Sequence, residues 1–138
     1  MIVLDTSGLL AAIDSSQRRH ESARRALESD DGPLLLSPFV LAELDYLLAT
    51  RVSSEAELLL LDQVAQGAYQ LEVFDADDAH EASRLITRHL DLGIGLADAS
   101  IVVLAARAGT NRILTLDERH FRVIRPRRGR AFQLLPTD

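Results

Sequence analysis

Short apolar runs alternate with longer stretches of helical periodicity along this chain. Runs at about 2–4, 34–37, 69–73, 112–115 and 131–134 read as strands, and the segments at 7–13, 20–29, 38–49, 54–66, 76–89 and 96–108 read as helices. Strand and helix in regular alternation predict an α/β domain whose mostly parallel central sheet, of about five strands, is flanked by helices.

Several helix ends are signposted. Ser53 or Ser54 suits an N-cap with Glu57 reaching back, Pro38 suits a first helical position and Gly109 a C-terminal cap, while Asp30-Asp31-Gly32-Pro33 reads as a turn. The segment 96–108 is apolar on nearly every face through Ile101, Val102, Val103, Leu104, Ala105 and Ala106, so it is expected deep against the sheet. The leucines at 58–61 cannot all face one core at 3.6 residues per turn, and some are expected to meet another protein surface.

The 138 residues suit a single domain over 1–138, with no repeat, low-complexity stretch or linker to divide it. Cysteine is absent, which removes disulfides, thiolate metal sites and cysteine nucleophiles together. All 15 basic residues are arginine, so Schiff-base chemistry and a P-loop are excluded. A formal charge of -6 argues against a general polyanion coat, yet Arg125, Arg127, Arg128 and Arg130 form a local basic run fit for RNA phosphates or simply for solvent. The N-terminus opens directly into an apolar strand and no apolar run approaches membrane-spanning length, so a soluble, cytoplasmic protein without membrane association is expected.

The chemistry lies in acids. Asp5 and Asp117 follow the apolar runs at 2–4 and 112–116, where open parallel sheets place their ligands, and Asp98 sits in the first turn of the apolar helix. Each alone has a plain alternative as a helix cap or turn former. Glu43 is harder to explain that way, because its helical neighbours Phe39, Val40, Tyr46 and Leu47 are apolar and an unpaired charge there is costly. Asp45, between Leu41, Ala42, Leu48 and Ala49, is an equal rival on composition. A compact acidic cluster has few uses other than holding divalent cations, and carboxylate oxygens suit Mg²⁺ or Mn²⁺ and phosphate chemistry.

Four motifs in order, Asp5-Thr6-Ser7-Gly8-Leu9-Leu10, Glu43-Leu44 inside an apolar helix, Asp98-Ala99-Ser100-Ile101, and Leu114-Thr115-Leu116-Asp117 with Phe121 shortly after, closely resemble PIN-domain ribonucleases. In order and spacing the chain is most similar to the VapC-type toxins of bacterial toxin–antitoxin pairs, over essentially its whole length. The resemblance selects Glu43 over Asp45 and implies a PIN-like fold in which Asp5, Glu43, Asp98 and Asp117 hold Mg²⁺ or Mn²⁺. It further implies an endoribonuclease that cuts RNA by metal-activated water and leaves a 5′-phosphate, a VapB-like antitoxin partner, and a homodimer paired through helices near the site. Ser7 and Thr115, each two residues from an acid, are candidates for hydroxyls that support the acids, with capping and strand packing as their plain alternatives.

Other readings are weaker. Gly93-Ile94-Gly95 opens like a dinucleotide loop but follows a helix and ends on Asp98, so a tight helix–helix connection is expected. An aspartyl phosphatase would want a second aspartate where Ser7 stands. The four histidines lack metal-ligand spacing and are expected in surface or packing roles, His120 being the one near an acid. Two alternatives stay in view: a catalytically silent PIN-like scaffold that binds RNA or protein, and a metal-dependent nuclease or phosphatase acting on DNA.

Overall fold

The computed structural model describes residues 1–127 and 129–138, which leaves Arg128 of the basic run outside the described residues. Five parallel strands, β1 (Ile2–Leu4), β2 (Leu34–Leu36), β3 (Gln70–Leu71), β4 (Arg112–Leu114) and β5 (Gln133–Leu135), form one sheet in the order β3-β2-β1-β4-β5. Around it lie α1 (Thr6–Ile13), α2 (His20–Glu28), α3 (Pro38–Arg51), α4 (Ser54–Ala65), α5 (Ala76–Arg88), α6 (Leu96–Ala108) and α7 (Glu118–Val123). The chain runs outward from β1 through β2 to β3, then crosses to β4 on the other side of β1. The switch point, where such sheets place ligands, therefore lies between the carboxyl ends of β1 and β4.

Burial explains the central strands. Ile2, Val3, Leu4, Ile113 and Leu114 are fully buried, covered on both faces as a parallel sheet requires. Helix α6 buries every residue from Ala99 to Ala105, as its uniformly apolar composition predicts. Helix α1 packs so closely on β4 that a Cβ at Gly8 would stand 2.4 Å from the Leu114 carbonyl oxygen. Only glycine fits there, and that contact holds the start of α1 beside the end of β4. Gly109, in the left-handed region at φ 73°, closes α6.

At the opposite end of the sheet, Asp30 accepts from the N-terminal ammonium at 2.8 Å and pairs with Arg112. These contacts, led by the ammonium hydrogen bond, hold the Asp30 carboxyl down at about 2. The start of β1 is thereby tied to the start of β4, where Arg112 stands.

Four expectations need correction. The third strand is only Gln70–Leu71, a short exposed edge. The last strand is shifted to Gln133–Leu135, because pairing with Arg112–Leu114 sets its register, while Phe132 packs edge-to-face on Phe121 with ring centroids 6.2 Å apart. Helix α7 escapes periodicity analysis, since six residues contain too little pattern to show a period. Glu57 does not reach back to the Ser53 cap. Its carboxyl faces Asp45 on α3 instead, and the nearness of that second acid, followed by burial, raises its pKa.

The leucine run divides as its spacing requires. Leu60 is buried, whereas Leu58 and Leu59 are 63% and 57% exposed and Leu61 is partly so. On α3, Tyr46 is exposed but Leu48 is fully buried, so Leu48 belongs to the core and not to an external surface. No helix among the described residues is long and apolar enough to cross a membrane.

Candidate active site

Asp5 ends β1 and caps α1, its Oδ1 accepting the Thr6 N–H at 2.8 Å. That much is the plain capping role. Its other oxygen, Oδ2, accepts the Thr115 hydroxyl at 2.6 Å and the Ser7 hydroxyl at 3.0 Å. Ser7 Oγ in turn accepts the Leu116 N–H at 3.0 Å, and Thr115 Oγ accepts the Asp117 N–H at 2.9 Å. Two hydroxyls thus bind the end of β1 to the loop after β4 and hold the Asp117 backbone there. Asp5 is only 5% exposed, and burial pushes its carboxyl up to about 6 against the hydrogen bonds from Thr115 and Ser7, with the charge of Asp98 adding to the rise.

Glu43 joins through Thr6, whose hydroxyl donates to its Oε1 at 2.7 Å. Its side chain is exposed despite the apolar neighbours, so expected burial is not what distinguishes it. Asp45 is the acid with a buried oxygen lacking a partner, but it faces Glu57 between α3 and α4. Contact with Thr6, not burial, separates the two rivals.

Asp98, in the first turn of α6, accepts weakly from the Gly95 N–H at 3.4 Å. Burial chiefly raises its pKa; His120 opposes the rise, and the charges of Asp117 and Glu43 reinforce it. His120, nearly buried, has Nδ1 3.3 Å from Asp98 Oδ2 and 3.2 Å from Asp117 Oδ2. The sequence places this histidine near Asp117 while favouring a packing role, and the structure adds that it faces Asp98 as well. Its position three residues after Asp117, one turn along a helix, was the available signal.

Glu43, Thr6, Asp5, Ser7, Thr115, Asp117, His120 and Asp98 thus form a continuous sequence of contacts at the sheet's switch point. Among the described residues no three His, Asp or Glu side chains close into a ready-made coordination shell. The acids are held pairwise, through hydroxyls and an imidazole. Arg125, Arg127 and Arg130 are exposed beyond α7.

The PIN domain family model matches residues 2–125. The chain belongs to the PIN domain family. It is 44% identical over 135 residues to Ribonuclease VapC26 of Mycobacterium tuberculosis, covering 98% of this chain and 100% of that one. Among solved structures it is similar to the sarcin-ricin loop cleaving toxin VapC20 of Mycobacterium tuberculosis, with a TM-score of 0.80, 24% identity and coverage of 86% and 92% of the two chains. VapBC2 of Rickettsia felis, solved bound to a promoter DNA fragment, shares the fold with a TM-score of 0.68, 23% identity and 97% of each chain covered. These likenesses bear out the resemblance read from the four motifs and the expected α/β architecture of this PIN domain.

Proposed function

We propose that this PIN domain is the endoribonuclease toxin of a toxin–antitoxin pair, acting in the cytoplasm with a divalent cation, Mg²⁺ or Mn²⁺, held by Asp5, Glu43, Asp98 and Asp117. The observation that carries the reading is the contact network at the switch point between β1 and β4, which gathers these acids in a chain 44% identical to a ribonuclease. The donor set fits the ion. Carboxylate oxygens are the ligands hard cations take, and Asp5 and Asp98 are raised chiefly by burial with neighbouring carboxylate charge adding to the rise, a strain that a cation relieves.

When bound, the cation supplies charge neutralisation at the phosphate and lowers the pKa of the attacking water. The chain's own residues do the positioning. Thr115 and Ser7 hold Asp5 Oδ2 by two hydroxyl bonds, and Thr6 anchors Glu43, so that neither acid needs to reorganise as charge develops. Water attack at phosphorus uses no ribose hydroxyl and leaves a 5′-phosphate. The arginines beyond α7 are suited to the RNA backbone.

A protein partner fits the apolar surface left on α3 and α4 by Tyr46, Leu58 and Leu59. We assign that face to a second copy of the chain. A VapB-like antitoxin then covers a separate part of the surface. The direct test is cleavage of labelled RNA by the purified protein with EDTA, then with Mg²⁺ or Mn²⁺ restored. Cleavage only with the metal is expected. Full cleavage in excess chelator contradicts the mechanism, and no cleavage of any RNA leaves a binding scaffold.

A further inference from the structure

The two nitrogens of His120 meet different surroundings. Nε2 lies 3.1 Å from Arg119 Nη2, and because a guanidinium nitrogen only donates, Nε2 is the acceptor. The neutral ring therefore carries its proton on Nδ1. That atom is buried and has no aligned hydrogen-bond partner, yet it stands 3.3 Å from Asp98 Oδ2 and 3.2 Å from Asp117 Oδ2. It stands within reach of two carboxylates that come from different elements, α6 and the loop leading into α7, and it is committed to neither.

Two carboxylates facing one buried point repel each other, and nothing else on the network links Asp98 to Asp117 directly. Thr115 holds the Asp117 backbone and Gly95 the Asp98 side chain, but neither contact sets the separation of the two acids. The buried Phe121 beside it and Ile124, one turn on, seat α7 against the core, so the ring is supplied from a fixed base.

We propose that His120 is a positioning residue, whose single Nδ1–H is shared between Asp98 and Asp117 and presets their separation for a divalent cation. The inference rests on the metal-dependent reading above and adds a residue that the four acidic motifs do not contain. A histidine with only a packing role would be replaced without loss by any side chain of similar volume. A shared N–H needs a donor at the Nδ1 position.

Asparagine and glutamine separate the two cases, since the Asn side-chain amide reaches the Nδ1 position and the Gln amide the Nε2 position. Mn²⁺ binding to the full chain, read by calorimetry or electron paramagnetic resonance without RNA, is expected to weaken about 10-fold or more in His120→Gln and His120→Leu and to stay near wild type in His120→Asn. Circular dichroism and thermal unfolding report whether each variant is folded. Wild-type Mn²⁺ affinity in folded His120→Gln and His120→Leu, or an equal loss in all three variants, overturns the proposal.

Should the variants fail to fold, the nitrogen-15 spectrum of the metal-free wild-type protein at pH 8 decides. A proton on Nδ1 alone supports the shared N–H, and a proton on Nε2 overturns it. A wild-type protein that binds no Mn²⁺ refutes the metal reading itself, an outcome distinct from unchanged affinity in the variants.

Discussion

Thr115 donates its hydroxyl to Asp5 Oδ2 at 2.6 Å across 110 positions of sequence, and both residues are buried. The bond joins the carboxyl ends of β1 and β4, the two strands between which the sheet's connections reverse. It stabilises the ionised form of Asp5, but not enough to offset burial, so the carboxyl remains raised at about 6.

A pH dependence follows for the metal-free protein. Asp5 binds its proton more tightly folded than unfolded, so its contribution is full below about 4 and is lost as pH rises through about 6, on the order of 3 kcal/mol in all. Asp5→Asn should remove that loss and unfold at a higher temperature than wild type at pH 7.5 in EDTA. Added Mg²⁺ should narrow the gap by stabilising wild type alone. Thermal unfolding at pH 4.5 and 7.5, with and without Mg²⁺, checks both.

Glu43 and Asp45 should respond oppositely. Glu43→Gln removes a candidate ligand that Thr6 holds at 2.7 Å and should abolish RNA cleavage. Asp45→Asn should leave cleavage intact and relieve the contact with Glu57, whose raised pKa makes stability fall as pH increases through it. Wild-type cleavage by Glu43→Gln would exchange the two assignments.

Exposed Arg125 and Arg127 give a salt-dependent signature if they meet RNA phosphates. Neutralising both should reduce the slope of log affinity against log salt by about 1.4 for single-stranded RNA without changing metal affinity. An unchanged slope assigns them to solvent.

Self-association is expected to depend on Leu58 and Leu59, not on Leu60, which is 1% exposed and in the core. Leu58→Glu with Leu59→Glu should weaken a homodimer by about 30-fold or more while preserving the fold. Sedimentation of wild type as a monomer at micromolar concentration removes the homodimer.

The elements that make the site were legible because their patterns are strong: a fully apolar strand at 2–4, the apolar pair Ile113 and Leu114 in β4, and a helix apolar on nearly every face leading from Asp98. Motif order also selected Glu43, although the burial argument offered for it fails, since the side chain is exposed and its tie to the site is a hydroxyl 37 positions away. His120 was legible only in part, as a histidine one turn from Asp117. Helix α7 is six residues long, too short to show a period, and only its packing turns the ring toward Asp98 and Asp117. Likewise the division of the leucine run depends on α4 packing against its neighbours, which spacing bounds but does not orient.

The central claim is that the acids at the switch point hold a cation for RNA hydrolysis, and Asp98→Asn tests it most directly. Cleavage of labelled RNA in Mg²⁺ should fall by about 100-fold or more, with circular dichroism unchanged, because one charged ligand is lost from a cluster whose other members remain in place. Cleavage by folded Asp98→Asn at the wild-type rate would contradict the account.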